Sequence, residues 1–304
     1  MPLLLGIVLV WYSLSRISIP TLVQYFKNAN YWWIFLGLFF GVLSHLSRAY
    51  RWKFMLEPLG FQPKFANTTM AVFIAYLVNY TVPRAGEISR AAILTNYEGV
   101  PFEKGFGTIV AERIADLIMM LCIIIITLFV QFDFIIDLLT KNFDPTKIII
   151  LLVGLIIAFG VFTFFVNKAT TGVLLKIKTF VTGLIEGVTS IFKMKKKWAF
   201  IFHTVFIWVM YVAMFWATIP AIEGLEVPLG AILIGFIAGG FAIAATNGGI
   251  GLYPVAVAGA FTLFGVPENP SEAFGWIMWT AQTAMVIFFG GLSFIFLPIY
   301  NKGK

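Results

Sequence analysis

The sequence predicts an all-α, polytopic integral membrane protein. Of its 304 residues, 60% are hydrophobic and 12% are charged, where soluble domains carry about 25% charged residues. The mean hydropathy is +0.94. The apolar residues stand in long continuous runs, not in alternation. A backbone in hydrocarbon must satisfy its own hydrogen bonds, so such runs cross as helices and not as barrel strands.

Six runs have the character of spanning helices: residues 2–15, 31–50, 110–131, 147–167, 198–219 and 273–297. The first is short for a bilayer that needs about 20 residues. It lacks a basic leader and a small-residue cleavage site, so it reads as a first membrane helix and not as a signal peptide. Two further apolar regions are broken. Residues 66–96 are interrupted at Pro83-Arg84-Ala85-Gly86-Glu87, and residues 229–266 at Asn247-Gly248-Gly249-Ile250-Gly251. Proline and glycine end helices, and a helix end inside a membrane exposes backbone groups that need partners.

Charge decides whether these broken regions cross. The segment 48–64, read as a loop, holds Arg48, Arg51, Lys53 and Lys64 against Glu57, and the lysine-rich segment 168–197 holds seven lysines against Glu186. Both should be cytoplasmic, as should the tail with Lys302 and Lys304. The acidic connections 133–147, 220–228 and 266–272 should face outward. These signs agree only if 66–96 and 229–266 are re-entrant or broken-helix hairpins, each returning to its own side and entering from opposite faces. Residues 1–131 and 147–297 then form two halves of opposite orientation, an inverted repeat of the kind many transporters use. The segment 172–192 is apolar with scattered lysines and reads either as a helix along the cytoplasmic surface or as an ordinary basic loop.

The net charge is +7. Its basic residues lie in short stretches between apolar runs, which fits topology and anionic lipid and gives no reason to expect a nucleic-acid partner. One cysteine, Cys122, allows no disulfide framework, and with His45 and His203 it makes a poor metal set. No cofactor, metal or catalytic motif is expected.

The densest polar stretch runs from Asn79 to Arg90, with Arg84 and Glu87 between them. Each ionised group in hydrocarbon costs about 2.5–3.5 kcal/mol on insertion scales, so these need partners, water or ligand unless the stretch is a solvated loop. Glu112, Arg113 and Asp116 stand just before the apolar residues 117–130, either as part of the same polar site or as an interfacial helix end. Arg84, Arg90 and Arg113 against Glu87, Glu112 and Asp116 balance as a self-neutralised polar core. Such a core suits a phosphate headgroup, whose geometry matches the arginine fork, and its carboxylates suit proton exchange. Asn247, Gly248, Gly249 and Gly251 offer backbone amides to an anion or, alternatively, allow close helix packing. Arg48, Arg51 and Trp52 read as interface anchors.

Asn79 to Leu94, the Arg-x-x-Arg-Trp of 48–52, the Glu-Arg-x-x-Asp of 112–116 and the Asn-Gly-Gly-x-Gly of 247–251 together resemble the lysylphosphatidylglycerol synthase transmembrane-region family. This is the flippase-like family that includes the membrane half of the multiple peptide resistance factor. The resemblance covers nearly the whole chain, although Asn247 stands where proline is common. It implies a multi-pass protein of the bacterial inner membrane that moves lipids or lipid-linked molecules between leaflets. It also implies a flippase-like module alone, since the large soluble domain of the synthase members is missing from this sequence. Membrane lipids with an anionic or phosphate-bearing headgroup are the expected partners. The rival expectations are a membrane-embedded lipid-modifying enzyme and a non-catalytic partner of one.

Overall fold

A computed structural model describes residues 2–82, 84–142, 144–179, 182 and 194–303. Among the described residues every regular element is helical. The chain divides into two compact units, Met1–Ile123 with Lys195–Lys304, and Ile124–Met194.

The larger unit begins with α1 (Pro2–Arg16), α2 (Ile19–Asn28) and α3 (Tyr31–Leu56). It continues with α4 (Phe65–Thr81), α5 (Ala85–Glu98) and the start of α6 (Phe102–Val130). The smaller unit holds the rest of α6, then α7 (Phe132–Asn142), α8 (Pro145–Lys168) and α9 (Gly172–Thr179), with α8 and α9 bent by 94°. The larger unit resumes with α10 (Lys197–Thr218), α11 (Leu229–Ala245), α12 (Leu252–Thr262) and α13 (Glu268–Tyr300). Among the described residues four helices are long and apolar enough to cross a membrane, namely α3, α6, α10 and α13, or five if the bent α8–α9 pair is one span. The predicted first span is a helix, but at 15 residues it is short for a full crossing.

Several expected boundaries move. The segment read as a loop at 133–147 is largely the helix α7. The helix expected to end near residue 50 runs on to Leu56, so Arg48 and Arg51 are helical and not in a loop. The helix expected from 110 begins at Phe102, so Glu112 and Asp116 lie inside it and not at its end. Their apolar neighbours carry the helix through, and charge alone does not stop one. Pro83 and most of 180–193 fall outside the described residues.

Both hairpins are present. Lys196 pairs with Glu57 at 2.9 Å, so α10 starts where α3 stops. Asn67, at the start of α4, hydrogen-bonds Glu98 at the end of α5 and Asn301 just beyond α13. Thus α4 and α5 enter from this end and return to it. At the opposite end, Arg16 pairs with Glu268 at the start of α13, and the Asn30 amide before α3 donates to the Ala221 carbonyl after α10. The second hairpin, α11–α12, leaves from and returns to that opposite end. The two tips meet. Tyr80 of α4 packs on Gly248, whose carbonyl accepts from Trp279 Nε1 at 2.9 Å, and the Tyr80 hydroxyl lies 3.2 Å from that of Thr283. Thr283 stands close to halfway along the 33-residue α13.

This arrangement makes a labelling prediction. A cysteine at Thr95 is expected to react with an impermeant thiol reagent only from the cytoplasmic side, and one at Glu268 only from outside. Labelling of both from one side would contradict opposite entry.

Candidate functional site

Arginine and carboxylate side chains from three helices converge near the first hairpin. Arg48 and Arg51 are three apart on α3, and Glu112 and Asp116 four apart on α6, so each pair shares a helix face. Arg48 Nη1 lies 2.6 Å from Glu112 Oε1 and 2.6 Å from Asp116 Oδ2. Arg51 Nη2 lies 3.1 Å from Asp116 Oδ1 and 3.4 Å from Glu112 Oε1. Arg90, from α5, grips Glu112 with both terminal nitrogens, at 3.0 and 2.9 Å. Arg113 extends the network outward, 3.0 Å from Glu87 and 3.7 Å from Asp116. Arg48, Arg51, Arg90, Glu112 and Asp116 are all buried.

Neutral groups fix the guanidiniums. Thr204 of α10 accepts from Arg51 Nη1 at 3.0 Å. Arg90 lies 3.9 Å over the Trp52 ring, whose indole N–H donates to Thr108 at 2.8 Å. The Tyr211 hydroxyl accepts from Arg48 at 3.5 Å and lies 3.3 Å from that of Tyr76. Stacking on an aromatic face orients a guanidinium while leaving its edge for charged partners.

The expected balance of three against three is corrected. Arg84 is exposed and takes no part in an ion pair among the described residues. Arg48 and Arg51, expected as interface anchors, are inside the cluster. Four guanidiniums therefore meet three carboxylates, leaving one positive charge in excess. The Nε atoms of Arg48, Arg51 and Arg90 are buried without a hydrogen-bond partner. The missed signal was legible in part, because the i, i+3 arginines of one helix match the i, i+4 acids of another. Only tertiary contact shows that the two faces meet.

The other predicted residues divide. Asn79 accepts the Gly86 backbone N–H at 2.8 Å, so it caps α5 from across the hairpin. Glu87 lies in the first turn of α5, where negative charge suits the helix dipole. Arg84, just before that helix, has φ 62°. Tyr76, Asn79, Glu87, Arg90 and Arg113 line a cavity of ≈10 Å³, room for about one water. The second-hairpin residues do not join this cluster. Gly248, Gly249 and Gly251 all have positive φ. A Cβ on Gly248 would fall 2.4 Å from the Tyr80 ring, and one on Gly251 2.4 Å from the Val10 amide nitrogen. Of the two expected uses of this stretch, close packing is the one these contacts express. Asn247 sits beside them, half-buried.

The sequence profile described as the lysylphosphatidylglycerol synthase TM region matches residues 1–291. The chain belongs to that family. A UPF0104 membrane protein of Methanocaldococcus jannaschii is 26% identical over 117 residues, covering 38% of this chain and 35% of the relative. A second UPF0104 membrane protein, from Methanothermobacter thermautotrophicus, is 36% identical over 70 residues, 22% of this chain and 20% of the relative. A Haloferax volcanii protein named Glycosyltransferase AglD is 33% identical over 78 residues, 25% of this chain and 12% of that protein. The chain thus spans about a third or less of the length of these relatives. No solved structure matches it. Family membership makes this a multi-pass membrane protein of a lipid-related family.

Proposed function

We propose that this protein is a flippase-like translocase that moves a phospholipid or lipid-linked substrate between leaflets. The observation that carries the reading is the excess positive charge of the buried cluster, built onto a hairpin that ends halfway through the bundle. A buried cation without its counter-charge is costly, and an anionic headgroup supplies that charge. Arg113 is partly exposed and Arg84 is exposed at the hairpin tip. These two receive the headgroup, while Arg48, Arg51 and Arg90, locked on Glu112 and Asp116, hold the field.

An apolar groove of ≈310 Å³ between α3, α4 and α13, lined by Leu46, Met70, Phe73, Phe289 and Leu292, suits a hydrocarbon chain. Residues 1–131 and 147–297 act as inverted halves in a single transmembrane domain. The support is the shared order of long helix, hairpin and long helix, with entry from opposite ends. The site lies in a plasma membrane with both termini cytoplasmic, because Lys53, Lys64, Lys195, Lys196, Lys197 and Lys302 gather at the end where α3 stops. A second reading, the membrane module of a lipid-modifying enzyme or its non-catalytic partner, is favoured by the match to a protein named a glycosyltransferase.

The test is leaflet exchange in reconstituted vesicles. The full chain is expected to speed exchange of an anionic phospholipid by about tenfold or more, equivalent to about 1.4 kcal/mol of barrier. Arg84→Gly removes the charge but relieves the left-handed backbone, so it should stabilise the fold by about 1 kcal/mol while abolishing the acceleration. A stable Arg84→Gly protein that exchanges lipid at the wild-type rate would remove the assignment. A chemically altered lipid in those vesicles would favour the second reading.

A further inference from the structure

A second polar seam lies at the opposite end of the bundle from the arginine cluster, between α1 and α13. Arg16 Nε lies 2.6 Å from Glu272 Oε1, and Arg16 Nη2 lies 2.6 Å from Glu268 Oε1. Glu268 is half exposed, whereas the Glu272 side chain is fully buried. Its second oxygen, Oε2, is sealed and has no hydrogen-bond partner. One turn away on the same helix face, the buried Trp276 Nε1 also lacks a partner, as does the buried Ser13 Oγ one turn before Arg16 on α1. The charged groups facing Glu272 are Arg16 from α1 and Glu268 from its own helix, with Tyr12 behind Arg16 at 3.4 Å. Neither α2 nor α12 brings it an ion pair or hydrogen bond among the described residues.

One guanidinium serving two carboxylates leaves one negative charge. When two carboxylates share one cation, one of them gives up its charge most readily by binding a proton. Burial selects which. Water offsets the charge on Glu268, but nothing offsets it on Glu272 Oε2. We infer that Glu272 is a proton-binding site, taking a proton on Oε2 while Oε1 stays on Arg16. The proton comes from water at this end of the bundle, where Glu268 is half exposed. The step breaks one O–H bond of hydronium, forms one on Oε2, leaves water and brings the seam to neutrality. It does not depend on the translocase reading, because binding is measured without transport.

Infrared difference spectroscopy of the full chain in lipid nanodiscs, stepped from alkaline to acid pH, reads this directly. The wild-type protein is expected to gain a carboxylic-acid carbonyl band that is lost in Glu272→Gln and displaced to more acid pH in Glu268→Gln, where Glu272 has Arg16 to itself. Arg16→Gln retains both acids without their cation, so the band should persist to more alkaline pH. A band that survives in Glu272→Gln overturns the inference, as does one that does not move in Arg16→Gln. Glutamine preserves the shape of the side chain, and recovery of a monodisperse Glu272→Gln protein keeps the comparison valid.

Discussion

Glu112→Gln is expected to destabilise the protein by about 3–5 kcal/mol, the usual cost of removing one partner from a buried ion pair. Glu112 receives Arg48 and both arms of Arg90, and Arg51 stands 3.4 Å away. A neutral amide keeps the shape but offers one acceptor oxygen and turns its NH2 toward a guanidinium. The cluster's excess rises from one positive charge to two, in a place where water cannot screen it. Equilibrium unfolding in mixed micelles measures the loss. The exposed pair Lys141–Asp137, at 2.6 Å, is the control. Lys141→Ala should change stability by no more than about 0.5 kcal/mol, because water screens both charges. Adding Arg90→Met to Glu112→Gln should recover part of the loss, since the added change removes a stranded cation. A Glu112→Gln protein as stable as wild type would mean that the cluster does not hold the hairpin against α3 and α6.

Gly86→Ala should cost about 3 kcal/mol, the upper end of overpacking penalties. A Cβ at this position would stand 2.1 Å from the Ala75 carbonyl oxygen and 2.8 Å from its carbon. The obstruction is backbone, so no rotamer change relieves it, and α4 and α5 must part. Parting them stretches the Gly86 N–H bond to Asn79 and draws Glu87 and Arg90 away from α6. The same substitution at Gly107, in open space on α6, should instead stabilise by about 0.5–1 kcal/mol through helix propensity. Thermal unfolding of the two variants should therefore move in opposite directions. Stabilisation by both substitutions would show that the hairpin contact is not close.

Much of the architecture was legible in the chain. Of the six expected spans, hydropathy located four as long apolar helices, because lipid leaves a backbone few choices, while 2–15 is short and 147–167 belongs to the bent α8–α9 pair. The interruptions at 83–87 and 247–251 marked the hairpin tips because glycine and proline act on their own neighbours. The charges of the connections required hairpins entering from opposite ends, and the helices run that way, because the cost of a charge in hydrocarbon is set residue by residue. The helix limits were less legible. Arg48 and Arg51 read as interface anchors, and Glu112 and Asp116 either as part of a polar site or as a helix end, since isolated charges also belong at an interface.

What the sequence determined alone is the solvent, the helical class, the two breaks and the inventory of charged groups. The tertiary structure decided which charges meet. It drew Arg48 and Arg51 into the cluster, left Arg84 outside it, gave the second hairpin's glycines to packing and paired Arg16 with Glu272 across 256 residues. The reason is physical. Insertion energies and backbone preferences are local sums that a sequence states directly. The partner of a buried charge is set by how helix faces are turned toward one another, and that is a property of the packed bundle.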